Sequence, residues 1–144
     1  MIVDMAGATT PDQVLSGLAR EGELFERLPG GRVRCHACGH RCLIPPGQRG
    51  VCKVRWNEDG RLMVPGGYVA ALQLDRVEKE PFFHAYPGAR ALSFGMLGCD
   101  FHCANCQNAL TSQALRDPGA GVTPERVSAD DIVDLALREH ARIL

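Results

Sequence analysis

The sequence predicts an α/β chain in three stretches: an N-terminal helical segment over 1–30, a four-cysteine metal knuckle with a small antiparallel sheet over 31–84, and a strand–helix unit over 85–144. Three observations carry this. The seven cysteines of the 144-residue chain fall into two close-spaced groups. Short apolar runs separated by turn residues occupy 53–97. A segment opening on Ser128-Ala129-Asp130-Asp131 has helical periodicity and is followed by a new apolar run at Ile143-Leu144.

Residues 1–10 read as a disordered start, ending in Thr9-Thr10-Pro11-Asp12, which is suited to cap a helix. Val14, Leu15, Leu18, Leu24, Phe25 and Leu28 then recur at three- and four-residue spacing. This predicts an amphipathic helix over 12–28, broken at Gly22, packed on the following module and ended by Pro29-Gly30-Gly31.

The next stretch carries Cys35, Cys38, Cys42 and Cys52 at C-x2-C-x3-C-x9-C spacing. Four thiolates can enclose a tetrahedral zinc ion or hold an auxiliary iron–sulfur cluster, and the spacing leaves both open. His36 and His40 read as solvated turn residues or donors to a neighbouring sulfur rather than ligands. Lys53–Trp56 and Arg61–Val64 flank Asn57-Glu58-Asp59-Gly60, whose Asp-Gly pair predicts a β-hairpin. Tyr68–Leu74 reads as another strand, with Trp56 and Tyr68 in cross-strand packing. Asp75 to Pro81 reads as a charged, solvated connector leading to Phe82-Phe83-His84. Pro87-Gly88 turns into a strand over 89–97.

Directly after that strand come Cys99, Cys103 and Cys106 at C-x3-C-x2-C spacing. Three thiolates on one loop can hold a [4Fe–4S] cluster with one iron left open for an exogenous ligand, because such a cube normally takes four cysteines. Gln107 to Arg116 reads as a short helix stopped by Asp117-Pro118-Gly119-Ala120-Gly121. In the later helix Ser128 is the N-cap and Asp131 completes a capping box. Ile132, Leu135 and Ala136, with Glu139 and Ile143 beyond, define its inner side.

Charge narrows the function classes. Sixteen basic and seventeen acidic residues leave a net charge of −1, so no global field draws in nucleic acid or an anionic membrane. No run approaches a membrane span and the start lacks a signal-peptide pattern, so the expected location is the cytoplasm. In that reducing compartment close-spaced cysteines point to metal rather than disulfides.

The run R-C-H-A-C-G-H-R-C (34–42), P-G-Q-R-G-V-C-K-V-R (46–55), V-E-K-E-P-F-F-H (77–84), Pro87-Gly88 and G-C-D-F-H-C-A-N-C-Q-N (98–108) resembles, in this order, the radical S-adenosylmethionine (SAM) member of the AmmeMemoRadiSam system. That member is a relative of pyruvate formate-lyase activating enzymes, which act on glycyl radical enzymes. The resemblance covers more than half the chain. It implies that 85–144 begins a truncated, partial (β/α) radical SAM barrel, in the N-terminal part of a longer protein that is inactive as this piece alone. It implies an oxidoreductase in which Cys99, Cys103 and Cys106 ligate a [4Fe–4S] cluster and SAM chelates the fourth iron before cleavage to a 5′-deoxyadenosyl radical. The position before the third cysteine is commonly aromatic in the superfamily and lies against the adenine. Here it is Asn105, with Phe101 the aromatic earlier on the loop, and these two are the candidate cofactor neighbours. The resemblance also places His84 near the cluster. Implied partners are an electron donor such as flavodoxin or ferredoxin, a protein substrate, and Memo-like and Ammecr-like proteins. The alternative is a non-enzymatic iron–sulfur or zinc protein for electron transfer or protein contact. A zinc-ribbon nucleic-acid binder is disfavoured by the neutral charge.

Overall fold

The computed structural model describes residues 10–117 and 119–144; the expected disordered start before Thr10 and the Pro118 position of the helix stop lie outside them. Helix α1 spans Pro11–Ser16, followed by strands β1 (Ala19–Glu21), β2 (Phe25–Leu28), β3 (Arg32–Cys35), β4 (Leu43–Ile44), β5 (Trp56–Glu58) and β6 (Arg61–Pro65). Strands β7 (Tyr68–Val69), β8 (Ala71–Arg76) and β9 (Arg90–Gly95) come next, then α2 (Ala109–Ser112), β10 (Glu125–Arg126) and α3 (Ala129–Arg138). The fold is mixed α/β with small antiparallel sheets and few helices. Among the described residues no helix is long and apolar enough to cross a membrane.

Two compact units cut across the three stretches expected from the sequence. One holds 1–66 and 97–123, the other 67–96 and 124–144. All seven cysteines, each a free thiol, fall in the first.

In the first unit, α1 starts as expected. Thr10 Oγ1 accepts the Gln13 N–H and Gln13 Oε1 accepts the Thr10 N–H, a capping box with Pro11 in the first turn. The helix expected to run to residue 28 stops after Ser16, however, and 19–28 is strand. Six helical residues cannot stand alone, so this helix depends on fully buried Leu15. Beyond Gly17 cross-strand bonds win: β1 pairs antiparallel with β6, and β2 with β3. Gly22 allows the first of these pairings to close, since a Cβ there would stand 3.0 Å from Val64 Cγ1. Leu24, expected on the helix's apolar stripe, is exposed.

The sheets β1–β6–β5 and β2–β3–β4 share a core of Val33, Cys35, Ile44 and Leu62, with Phe25, Ala37, Cys42 and Val64 packed against it. The expected hairpin forms: Trp56 pairs with Met63 and Glu58 with Arg61, and Asp59 (φ 51°) and Gly60 (φ 78°) make the left-handed two-residue turn. Its first strand starts at Trp56 rather than Lys53, because Lys53 (φ 64°) closes a turn whose N–H donates to Gly50 O. Trp56 also stacks against the Arg49 guanidinium at 4.8 Å. Asn57 is fully buried and fully bonded. Its Nδ2 donates to Gly31 O and Ile44 O, each at 2.8 Å, and its Oδ1 accepts the Gly60 N–H at 2.9 Å.

In the second unit, the strand expected over 68–74 divides at Ala70. β7 pairs with β10, and β8 pairs antiparallel with β9 from Ala71↔Gly95 to Arg76↔Arg90. The connector is not merely a solvated loop, since Val77 is fully buried and the Gly88 N–H donates to Glu78 Oε1 at 2.6 Å. Phe82, Phe83 and His84 are exposed. Helix α3 matches its expected cap, with the Asp131 N–H on Ser128 Oγ (3.1 Å) and the Ser128 N–H on Asp131 Oδ2 (2.9 Å). Ile132 and Ala136 pack on Val69 and Leu92, with Leu135 alongside. Glu139 is not an inner apolar position; its carboxylate pairs with Arg90 at 3.1 Å. After α3 the chain returns beside β9, where Ala91 and Ile143 form a parallel bridge and the Leu92 N–H donates to Ile143 O at 2.9 Å. β9 and α3 thus form a strand–helix unit whose chain returns parallel to β9 through a single bridge. Among the described residues the strands close no barrel.

Candidate metal centre

Cys35 is the last residue of β3 and 5% exposed, so one of the four knuckle thiols belongs to the apolar core rather than to a turn. Burial pushes this thiol's pKa up. The Ala37 N–H and the Arg55 charge oppose the rise, and the Cys42 and Cys52 thiols reinforce it. Cys42 and Cys52 thus lie near enough to Cys35 to act on it electrostatically. The local backbone makes this so. The Cys35 N–H donates to Cys42 O at 2.9 Å and folds the intervening loop back, with the Arg41 N–H on Cys38 O and Arg41 itself at φ 47°. Gly50, whose added Cβ would lie 3.6 Å from Cys42 Sγ, brings the Cys52 turn alongside.

The second cysteine group follows fully enclosed Leu97 on an irregular segment ending at α2. Cys99 Sγ accepts the Phe101 N–H at 3.4 Å, and Cys106 Sγ lies 3.2 Å from Ser112 Oγ. The first is a bond from the amide two residues on, the same relation Ala37 has to Cys35. Cys103 is exposed, as are Phe101 and Asn105. Among the described residues no three His, Cys, Asp or Glu side chains stand in a ready ligand shell. The structure thus places both cysteine groups in one unit, and among the described residues neither group forms a ready ligand shell.

Contacts that the sequence reading did not foresee join the groups. Gly98 (φ 81°) lies so close to the knuckle that a Cβ would stand 2.2 Å from Val54 Cγ2 and 2.6 Å from Cys52 O. His40 is an exposed turn residue, as expected, but its Nε2 donates to Asp100 O at 3.1 Å rather than to a sulfur, and its ring tilts against Phe101 at 6.2 Å. His36 lies 3.8 Å from the Glu26 carboxylate. Arg116 Nη2 donates to Val51 O at 2.7 Å and to Cys99 O at 2.9 Å. No periodic or spacing signal marks Arg116; only the position of a long donor side chain shortly after the cysteine loop could have pointed to it.

Fold and site together define a mixed α/β chain with two cysteine groups mounted on one another. It is 41% identical over 122 residues to an uncharacterized protein of Methanocaldococcus jannaschii, a stretch that makes up 83% of this chain and 35% of that relative. The chain therefore spans about a third of the length of the curated relative it matches. No protein-family model and no solved structure matches it.

Proposed function

We propose that Cys99, Cys103 and Cys106 hold a [4Fe–4S] cluster in a radical SAM enzyme of the AmmeMemoRadiSam kind, and that Cys35, Cys38, Cys42 and Cys52 hold zinc or a second cluster beside it. What supports this is the grouping of all seven free thiols in one compact unit, with the loop of three carried on the knuckle of four. The donor set fits. An irregular loop with an exposed middle cysteine can draw its sulfurs together on loading. The Phe101 N–H and the Ser112 hydroxyl stand ready to bond the outer two sulfurs, the kind of second-sphere contact that stabilises bound thiolates. When bound with SAM, such a cluster supplies a one-electron reductive cleavage that yields a 5′-deoxyadenosyl radical. The chain's own part is to ligate, to leave one iron corner free, and to offer Phe101 and Asn105 towards the adenine.

In this reading the parallel return at Ile143 begins a barrel completed elsewhere in a longer protein. The electron donor is a flavodoxin or ferredoxin, the substrate is a protein, and the setting is cytoplasmic. Anaerobic reconstitution tests the site. Wild type should gain iron and sulfide with broad visible absorbance, and alanine at Cys99, Cys103 or Cys106 should abolish it; a variant with wild-type iron content refutes the assignment. One zinc per chain would identify the knuckle metal as zinc. In the longer protein, SAM and a reductant should release 5′-deoxyadenosine, whereas a reducible cluster that never cleaves SAM would favour the electron-transfer alternative.

A further inference from the structure

We infer that Arg116 is a positioning residue that staples the Cys99 loop to the Cys52 turn, so that metal in the four-cysteine group pre-organises the three-cysteine loop. This rests on the reading of Cys35, Cys38, Cys42 and Cys52 as metal ligands.

The half-buried Arg116 guanidinium is divided between the two groups. One terminal nitrogen bonds both Val51 O, the carbonyl just before Cys52, and Cys99 O. The other donates to Gln113 Oε1 at 3.0 Å and to Ser112 O at 3.4 Å, and Ser112 Oγ in turn touches Cys106 Sγ. A single side chain therefore reaches the backbone beside Cys52, at Cys99 and beside the partner of Cys106. Among the described residues Arg116 makes no ion pair. Its guanidinium is instead committed to the carbonyls that border the thiols. A planar guanidinium with several fixed donors can span two carbonyls; an ammonium on a flexible stem holds such a bridge poorly.

Two further contacts make the joint rigid. Gly98 leaves no room between the loop and Cys52 O, and His40, within the knuckle, holds Asp100 O. Metal that fixes Cys52 must fix Val51 O one residue away. Through Arg116 it then restricts Cys99 O, narrowing the conformations the loop must give up when it ligates.

Zinc alone, added to the iron-free full-length protein at one equivalent, is the probe, and the rate of alkylation of each cysteine by iodoacetamide, read by mass spectrometry, is the measurement. Zinc should slow alkylation of Cys99 by about fivefold or more, the lower range of coupling between distinct sites, with less effect on exposed Cys103. In Arg116→Gln zinc should still protect the more accessible Cys38 and Cys52, showing a folded and loaded knuckle, while the effect on Cys99 disappears. Arg116→Lys should not restore it. Zinc that protects the knuckle but leaves wild-type Cys99 unchanged overturns the coupling, as does protection of Cys99 that persists in Arg116→Gln, which marks direct binding. Zinc that protects none of the four knuckle cysteines refutes the metal-site reading instead. Should Arg116→Gln fail to fold, the wild-type comparison and His40→Ala decide, since His40→Ala should weaken zinc protection of Cys99; protection at full strength in that variant counts against the joint.

Discussion

Replacing Gly98 by alanine should destabilise the cysteine-bearing unit far more than the same change at an open glycine. At φ 81° an L-residue carries a backbone penalty of about 1–2 kcal/mol. The new Cβ would also stand 2.2 Å from Val54 Cγ2 and 2.6 Å from Cys52 O. The valine methyl can rotate away but the carbonyl is main chain, so relief requires moving the Cys52 turn. Overpacking of this kind adds about 1–3 kcal/mol. The expected loss is thus about 2–5 kcal/mol, a large share of the roughly 5–15 kcal/mol that holds a typical domain together. Gly30 is the internal control: its φ is 74°, yet nothing lies within 4 Å of an added Cβ, so Gly30→Ala should show the backbone penalty alone. Urea unfolding followed by fluorescence of Trp56, the single tryptophan, reports on the same unit. A Gly98→Ala protein within about 0.5 kcal/mol of wild type, or no less stable than Gly30→Ala, would show that loop and knuckle do not meet at Gly98.

Asn57→Leu should cost about 2–4 kcal/mol in the same assay, because the Gly31 and Ile44 carbonyls and the Gly60 N–H lose their partner in a site without water access; a neutral result would mean those groups find other partners. Ser128→Ala should cost about 1 kcal/mol in the unit that holds α3, and Ser128→Gly only a few tenths, measured by hydrogen exchange of α3 amides. The Ser128 hydroxyl and N–H hold the Asp131 carboxyl below its ordinary range, and the Glu78 and Gly88 N–H groups do the same for Glu78. For a carboxyl depressed in the folded state, the added stability is present above the unfolded pKa and lost as pH falls through the folded one. Protection factors in the second unit, taken against the intrinsic exchange rate at each pH, should therefore fall in acid, and Ser128→Ala should flatten the Asp131 part of that dependence; an acid limb unchanged in Ser128→Ala would contradict this assignment.

Local chemistry made several elements legible from residue order. Ser128 with Asp131 and Thr10 with Gln13 cap their helices through groups three positions apart, and Asp59-Gly60 makes a turn that few other pairs permit. None of these needs a distant partner. The cysteine spacings likewise specify which sulfurs share a loop, whatever surrounds them. The end of α1 could not be read in this way. Leu24, Phe25 and Leu28 have spacing that serves a helix, and the decision went to Met63–Pro65 and Arg32–Cys35, whose backbone groups complete strands β1 and β2. The mounting of the cysteine loop on the knuckle was equally hidden, because Arg116 meets Val51 across 65 positions and His40 meets Asp100 across 60. The sequence alone determined which residues can cap, turn and ligate, since those properties belong to short segments. Which segments face one another was decided only by the tertiary structure, because long-range hydrogen bonds and close packing depend on where the whole chain comes to rest.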